Sequence, residues 1–204
     1  MRYLSGKVQW RTVFLAAAWL EGAVLAGVLV YLAVTGRVLV VSMQPREALK
    51  AATAERGLAI PVAGARRQDL RDSFHAPRSG GRQHLGIDIM APDGTPVLAA
   101  AGGVIVKRDS SALGGISLYE RGHDGATIYF YAHLSRYAPG IDEGDLVRQG
   151  DVIAYVGHTG NASASAPHLH FGVYTVTDPN RWWHGRDLNP FVLLTGPEAA
   201  KRGR

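Results

Sequence analysis

The chain contains no cysteine. That excludes a disulfide framework, a thiol nucleophile and every cysteine-based zinc site. It also leaves an oxidising compartment open, because no thiol is there to mispair. HExxH, GxSxG and GxxxxGK[ST] are absent too, which removes the commonest helical zinc protease, serine hydrolase and nucleotide-binding readings. Charge is sparse at 19% of residues, and 22 basic against 17 acidic side chains leave a net +5. These charges are scattered, with no stripe of basic and aromatic residues, so nucleic acid is not an expected partner. The small positive excess suits an anionic surface or polymer. At 47% hydrophobic the chain is too apolar to be disordered. Its 204 residues suffice for one ordinary domain with an appendage, and 25 Gly with 10 Pro point to many turns and therefore to strands.

Residues 13–34 form a mostly apolar run, interrupted by Glu21 and two glycines. As a helix, 22 residues span ~33 Å, close to the ~30 Å hydrocarbon core of a bilayer. A secretory signal has a shorter apolar region, about 7–15 residues. A transmembrane anchor over residues 13–36 is therefore expected. Cleavage near Ala26, after Val24-Leu25-Ala26, is the alternative. Glu21 would be costly in the span unless a partner helix or a proton relieved it. Arg2, Lys7 and Arg11 precede the run, whereas Glu47 accompanies Arg37, Arg46 and Lys50 after it. This asymmetry puts residues 1–12 in the cytoplasm and the rest on the outer face of the cytoplasmic membrane, towards periplasm or cell wall. Residues 45–56 read as a short helix, with Pro45 first, Glu47 in the first turn, Arg56 in the last and Gly57 to end it. Residues 37–57 are thus a helical stalk, 58–195 the main domain and 196–204 a basic tail.

From Leu58 onward, short β-rich runs alternate with Gly, Pro and Asp: residues 96–106, 115–120, 126–133, 151–156 and 168–176. Asp124-Gly125 between two of them is a hairpin signal. Strands this close, without helical patterns between them, predict a mainly all-β, compact antiparallel sheet domain.

Eight histidines in such a domain invite a metal reading. His168-Leu169-His170 opens a strand pattern, and residues two apart on a strand share a face. Two imidazoles therefore point into one space and Leu169 into the other; a solvated face is the alternative. His84 and Asp88 lie four apart in His84-Leu85-Gly86-Ile87-Asp88. Fully extended they would be ~13 Å apart, too far for one ion. The chain must bend there, and Gly86 permits it. His133 ends the apolar strand Tyr131-Ala132-His133-Leu134-Ser135, where an imidazole at a sheet rim suits proton transfer or simply meets water. His158, in Gly157-His158-Thr159-Gly160, is a loop residue open to a substrate. His75, His123 and His184 have no second supporting signal. Asn161-Ala162-Ser163 is a formal glycosylation sequon of the kind that arises by chance.

Together these blocks resemble the LytM/lysostaphin-type zinc metallopeptidases, which cut peptide bonds in bacterial peptidoglycan. Three blocks occur in the family's order: His84-Leu-Gly-Ile-Asp88 running on to Val97, Tyr131-Ala-His133-Leu-Ser, and Gly157-His-Thr-Gly160 followed by Pro167-His168-Leu-His170-Phe171. The resemblance covers roughly residues 60–194, including Asn189-Pro190. It implies a single zinc ion at the rim of the sheet, with His84, Asp88 and His170 as metal ligands and His133 and His168 as the catalytic pair. It further implies a zinc metalloendopeptidase acting on peptide cross-links of the cell wall, in which Arg78, Arg82 and His158 would meet substrate carboxylates or remain solvated. The alternative is an inactive murein-binding regulator of another hydrolase. The stretch from Phe74 to Arg82 varies within the family, so substrate specificity does not transfer.

Overall fold

The computed structural model describes residues 28–34, 37–43, 57–178 and 181–196. The chain divides into two compact units, Met1–Pro45 and Arg46–Arg204. In the first unit, β1 (Val28–Val34) pairs antiparallel with β2 (Arg37–Met43), with Val34 opposite Arg37. This corrects the expected helix over the end of the anchor and the start of the stalk. Val and Leu dominate both segments, with Tyr31 in the first, and β-branched and aromatic side chains favour a strand over a helix. Residues 13–27 of the expected anchor and the expected helix over 45–56 lie outside the described residues. Among the described residues, no helix is long and apolar enough to cross a membrane.

The second unit is built on a nine-stranded antiparallel sheet. Its strands are β3 (Ile87–Met90), β4 (Pro96–Leu98), β5 (Gly103–Ser111), β6 (Gly115–Gly122), β7 (Thr127–Tyr137), β8 (Leu146–Val147), β9 (Val152–Val156), β10 (His168–Thr175) and β11 (Arg186–Leu188). The main order is β11-β10-β7-β6-β5-β8, with β3 on β10 and β9 bridging β7 and β4. The mainly β, antiparallel expectation is therefore met. The expected strand 96–106 is broken, however. Ala99, Ala100 and Ala101 are fully buried between β4 and β5, where the chain leaves β9 to join β6 and β8. Asp124-Gly125 does turn β6 into β7: Gly125 is left-handed at φ 74°, and Asp124 Oδ1 accepts the N–H groups of Ala126 and Thr127 at 2.9 and 2.8 Å.

Alternation along the strands separates a core face from a groove face. Tyr131, Leu134, Leu169, Phe171, Leu118 and Ile153 are fully buried on the core side. A short helix, α1 (Pro190–Thr195), closes the chain against this core through Leu194. Asn189 caps it by accepting the Phe191 N–H at 2.9 Å, and Pro190 takes the first turn, where its missing N–H costs nothing. The Asn189 amide also donates to Asp72 at 3.2 Å, which ties the helix to the segment entering the groove.

Glu120 breaks the apolar pattern. It is fully buried, Tyr131 donates to its Oε2 at 2.7 Å, and its Oε1 has no hydrogen-bond partner among the described residues. Burial pushes its carboxyl up to about 8, against the Tyr131 hydrogen bond that lowers it. An acid raised in the folded state stabilises the fold fully below its unfolded pKa, and that contribution is lost as pH rises through the folded value. Wild-type stability should therefore fall between about pH 4.5 and 8 relative to Glu120→Gln, on the order of a few kcal/mol. Urea unfolding of both proteins at pH 5 and pH 9 reads the difference; parallel pH profiles would disprove it.

Candidate metal centre

His168, His170 and Asp88 are brought together by strand register alone. β10 runs antiparallel to β3 with His170 opposite Asp88 and His168 opposite Met90. Directly opposed residues share a face, so His170 and Asp88 meet on the groove side. Leu169 and Ile89, the opposed pair between them, are buried on the core side. The HxH reading is thus correct, with Leu169 as the core anchor.

His84 arrives from the loop before β3, and the chain bends at Gly86 as expected, though for a different reason. Gly86 does not adopt a positive φ. Instead its backbone passes so close to β10 that a Cβ would lie 2.5 Å from the Phe171 carbonyl oxygen and 2.9 Å from the His170 ring. Only a residue without a side chain lets this segment approach His170. His84 Nδ1 donates to the Ser73 carbonyl at 2.8 Å, which turns Nε2 inward.

The result is a triangle of electron-rich atoms. His84 Nε2 lies 2.8 Å from His170 Nδ1 and 3.0 Å from Asp88 Oδ1, and His170 Nδ1 lies 3.2 Å from the same oxygen. Among the described residues this is the one group of three His, Asp or Glu side chains whose donor atoms all fall within 4.8 Å. Ligands at about 2.0–2.1 Å from a tetrahedral ion sit roughly 3.3 Å apart, so the triangle needs little adjustment to hold one. Two imidazoles and a carboxylate make a three-ligand set of the kind that leaves a fourth position open. Asp88 is also tied from outside: Arg78 Nη2 donates to its Oδ2 at 2.5 Å. Burial pushes the Asp88 carboxyl up, but the hydrogen bonds of His170, His84 and Arg78 together hold it well below the usual carboxylate range. His170 is shifted down by burial, against the opposing pull of Asp88.

His133 and His168 flank the triangle. Their rings lie 5.0 Å apart, and His168 Nε2 is 3.8 Å from Asp88 Oδ1. Strict alternation after Tyr131 on the core face and Ala132 on the groove face would send His133 back into the core. A bulge prevents this. Ile116 pairs with Leu134 but Leu118 with Tyr131, so β7 carries one extra residue. His133 takes it up with a left-handed φ of 60° and lines the groove beside Ala132. Its Nδ1 donates to the Thr159 carbonyl at 2.9 Å, as His168 Nδ1 does to Ala166 at 2.8 Å. Both rings therefore keep Nε2 for the groove. Burial lowers the His133 pKa, which favours its neutral form.

The groove around these residues has a volume of about 1110 Å³. Arg78 and Arg82 line it, but His158 does not; it pairs with Asp93 at 2.8 Å instead. The Gly157-His158-Thr159-Gly160 turn serves the site through Thr159. Besides holding His133, its Oγ1 donates to Leu134 O at 2.7 Å and accepts Ile116 N–H at 2.9 Å. Its glycines allow the contact, since a Cβ on Gly157 would meet the Ser135 nitrogen at 2.4 Å. Sequence reasoning missed Thr159, and only the bracketing glycines hinted at close packing. It also missed an aromatic wall: Tyr119, Phe130 and Trp183 line the groove, as does His184.

The chain matches peptidase family M23 over residues 82–190, more than half its length. It belongs to that family. The match begins just before His84 and ends at Pro190, the start of α1, so it spans all five candidate site residues. Among curated proteins, it is 42% identical over 119 residues to lysostaphin of Staphylococcus simulans, covering 57% of this chain and 22% of that protein. It is 36% identical over 109 residues to the L-Ala–D-Glu endopeptidase of Bacillus subtilis, covering 50% and 33%. The chain thus spans a third or less of the length of these relatives. Among solved structures, the catalytic domain of lysostaphin from S. simulans superposes with a TM-score of 0.51 at 30% identity, over 59% of this chain and 87% of that one.

The donor triangle makes a direct prediction. His170→Ala and Asp88→Ala should each weaken zinc retention by at least roughly 10–100-fold, the loss incurred when even outer partners of a metal site are removed. Metal analysis after dialysis against a weak chelator reads this. Undiminished zinc in His170→Ala would refute the ligand assignment.

Proposed function

We propose that this M23 peptidase is a zinc-dependent endopeptidase that hydrolyses peptide cross-links of bacterial peptidoglycan. The observation that carries the reading is the open triangle of His84, Asp88 and His170 beside two further imidazoles whose Nε2 atoms are kept for the groove. The names of the relatives, a lysostaphin and an L-Ala–D-Glu endopeptidase, support the choice of peptide substrate.

His84 Nε2, His170 Nδ1 and Asp88 Oδ1 would hold one zinc ion. In such a site zinc supplies Lewis acidity towards the scissile carbonyl and a water acidified towards neutrality. Among the described residues lining the groove there is no Glu, and Asp187 is the only Asp besides Asp88, so we assign proton handling to His133 and His168. His133, neutral by burial, can take a proton at Nε2 while its Nδ1–H stays bonded to Thr159. His168 offers a second Nε2, fixed by its bond to Ala166 and 3.8 Å from Asp88. One of the pair accepts the proton of the attacking water and the other stabilises charge on the carbonyl oxygen.

The full chain should release new peptide termini from purified murein sacculi, identified by mass spectrometry. A chelator should abolish the release and zinc restore it. His133→Ala and His168→Ala should each slow it on the order of 10²–10⁴-fold while zinc content stays at the wild-type level. Sacculi left intact by zinc-loaded protein would overturn the enzyme in favour of a binding module.

We place the catalytic unit outside the cytoplasmic membrane, facing periplasm or cell wall. The apolarity of residues 13–34, of which 28–34 pair as a strand, the basic residues ahead of them and the absence of cysteine support this location. Carbonate-washed membranes should retain the full chain, and a protease added outside spheroplasts should digest residues 58–195. Recovery in the soluble fraction would refute the anchor.

A further inference from the structure

The proposed chemistry leaves unused two guanidinium groups beside the metal centre. Arg78 and Arg82 stand on opposite stems of one narrow loop. Its base is closed where His75 N–H meets His84 O at 2.7 Å, and Arg78 N–H meets Arg82 O at 2.9 Å. Gly80 and Gly81, at φ 72° and 71°, make the tight reversal at its tip. Both arginines line the groove. Arg82 is braced on Ser79, through Nε to the carbonyl oxygen at 3.2 Å and Nη2 to Oγ at 3.3 Å. Arg78 is braced on Asp88 through Nη2, the one nitrogen of its side chain with an acceptor among the described residues.

This loop is a poor match for a neutral peptide. The Arg78 side chain is 38% exposed, so its remaining N–H groups are open to a ligand in the groove. The carboxylates lining the groove are Asp88, already engaged by Arg78, and Asp187, which makes no ion pair with Arg78 or Arg82 among the described residues. Arg82 therefore has no carboxylate partner among the described residues, and Arg78 uses one nitrogen on Asp88. A ligand carboxylate would supply the missing acceptor, and a guanidinium fork binds one through two parallel hydrogen bonds.

We infer that Arg78 and Arg82 form a carboxylate-binding subsite that selects peptides bearing a free carboxylate next to the scissile bond over uncharged cross-links such as oligoglycine. This rests on the peptidase reading of the same groove and names the substrate class within it. Because Arg78 touches Asp88, the bound carboxylate lies beside the metal centre and fixes which peptide bond reaches it.

The test uses the full-length, zinc-loaded chain and two synthetic cross-linked stem-peptide dimers. They are identical except that the carboxylate next to the scissile bond is free in one and a carboxamide in the other. Binding is read by calorimetry and cleavage by product analysis, with zinc content measured for every protein. Wild type should favour the free acid by roughly 10–100-fold in affinity or kcat/KM, the scale of hydrogen bonds to a charged group. Arg82→Gln should cut the preference to less than about 3-fold, and Arg82→Lys should leave it intermediate, because the charge persists without the fork. Arg82 touches none of the three triangle residues, so its variants keep the test independent of zinc retention. Equal handling of acid and amide by wild type, or an undiminished preference in Arg82→Gln, would overturn the subsite. Selective binding of the acid without cleavage would uphold the subsite and overturn the hydrolase reading.

Discussion

Three lone-pair donors aimed at one point are the constraint around which this fold is arranged. His84 Nε2, Asp88 Oδ1 and His170 Nδ1 crowd within 3.2 Å of one another. Such an arrangement is unfavourable unless a proton or a cation stands between the donors. The protein imposes it with its most rigid parts. Two members are a cross-strand pair whose neighbours, Leu169 and Ile89, are locked into the core. The third is pressed in by a backbone approach that a single methyl group on Gly86 would block. Displacing any one donor would require disturbing the packing behind it, which is how a site at a sheet rim keeps its geometry.

Orientation is set by main-chain carbonyls. Ser73, Thr159 and Ala166 each accept the Nδ1–H of one imidazole, those of His84, His133 and His168. Each bond fixes both tautomer and ring direction with an acceptor that cannot titrate. His170 is the exception. Its Nδ1 faces the triangle, and its Nε2 side packs against Gly86. The carboxylate among the donors is steadied by a cation, Arg78, instead. Rigid dipoles thus hold these rings and a guanidinium holds the carboxylate.

Much of this was legible in the amino-acid order. Alternation gave the strands at 115–120, 126–133, 151–156 and 168–176 and placed His168 and His170 on one face, because period-two patterning is a local property. The strand 96–106 was misread, because nothing local shows that three consecutive alanines carry the chain from one partner strand to another. The anchor was read from hydropathy, which does not separate a Val-rich strand from a helix, and residues 28–34 pair as a strand. In the site, the five His and Asp residues stood out by chemical type. Thr159 and the aromatic wall did not, because their roles come from long-range neighbours: Thr159 meets His133 across 26 positions of sequence. His158 drew attention for its imidazole and Thr159 beside it did not, although the contact that matters is made by the Thr159 backbone oxygen.

The left-handed backbone of His133 sets a limit on how this protein can be improved. That conformation costs a non-glycine residue about 1–2 kcal/mol, and glycine or asparagine would accept it more readily. Either would remove the ring that the bulge exists to redirect. A search for heat-resistant variants would therefore find one of its easiest gains at this position, and each such gain would cost the imidazole on which the proposed hydrolysis relies. Robustness here has to be sought in the far side of the sheet, among side chains that never see the groove.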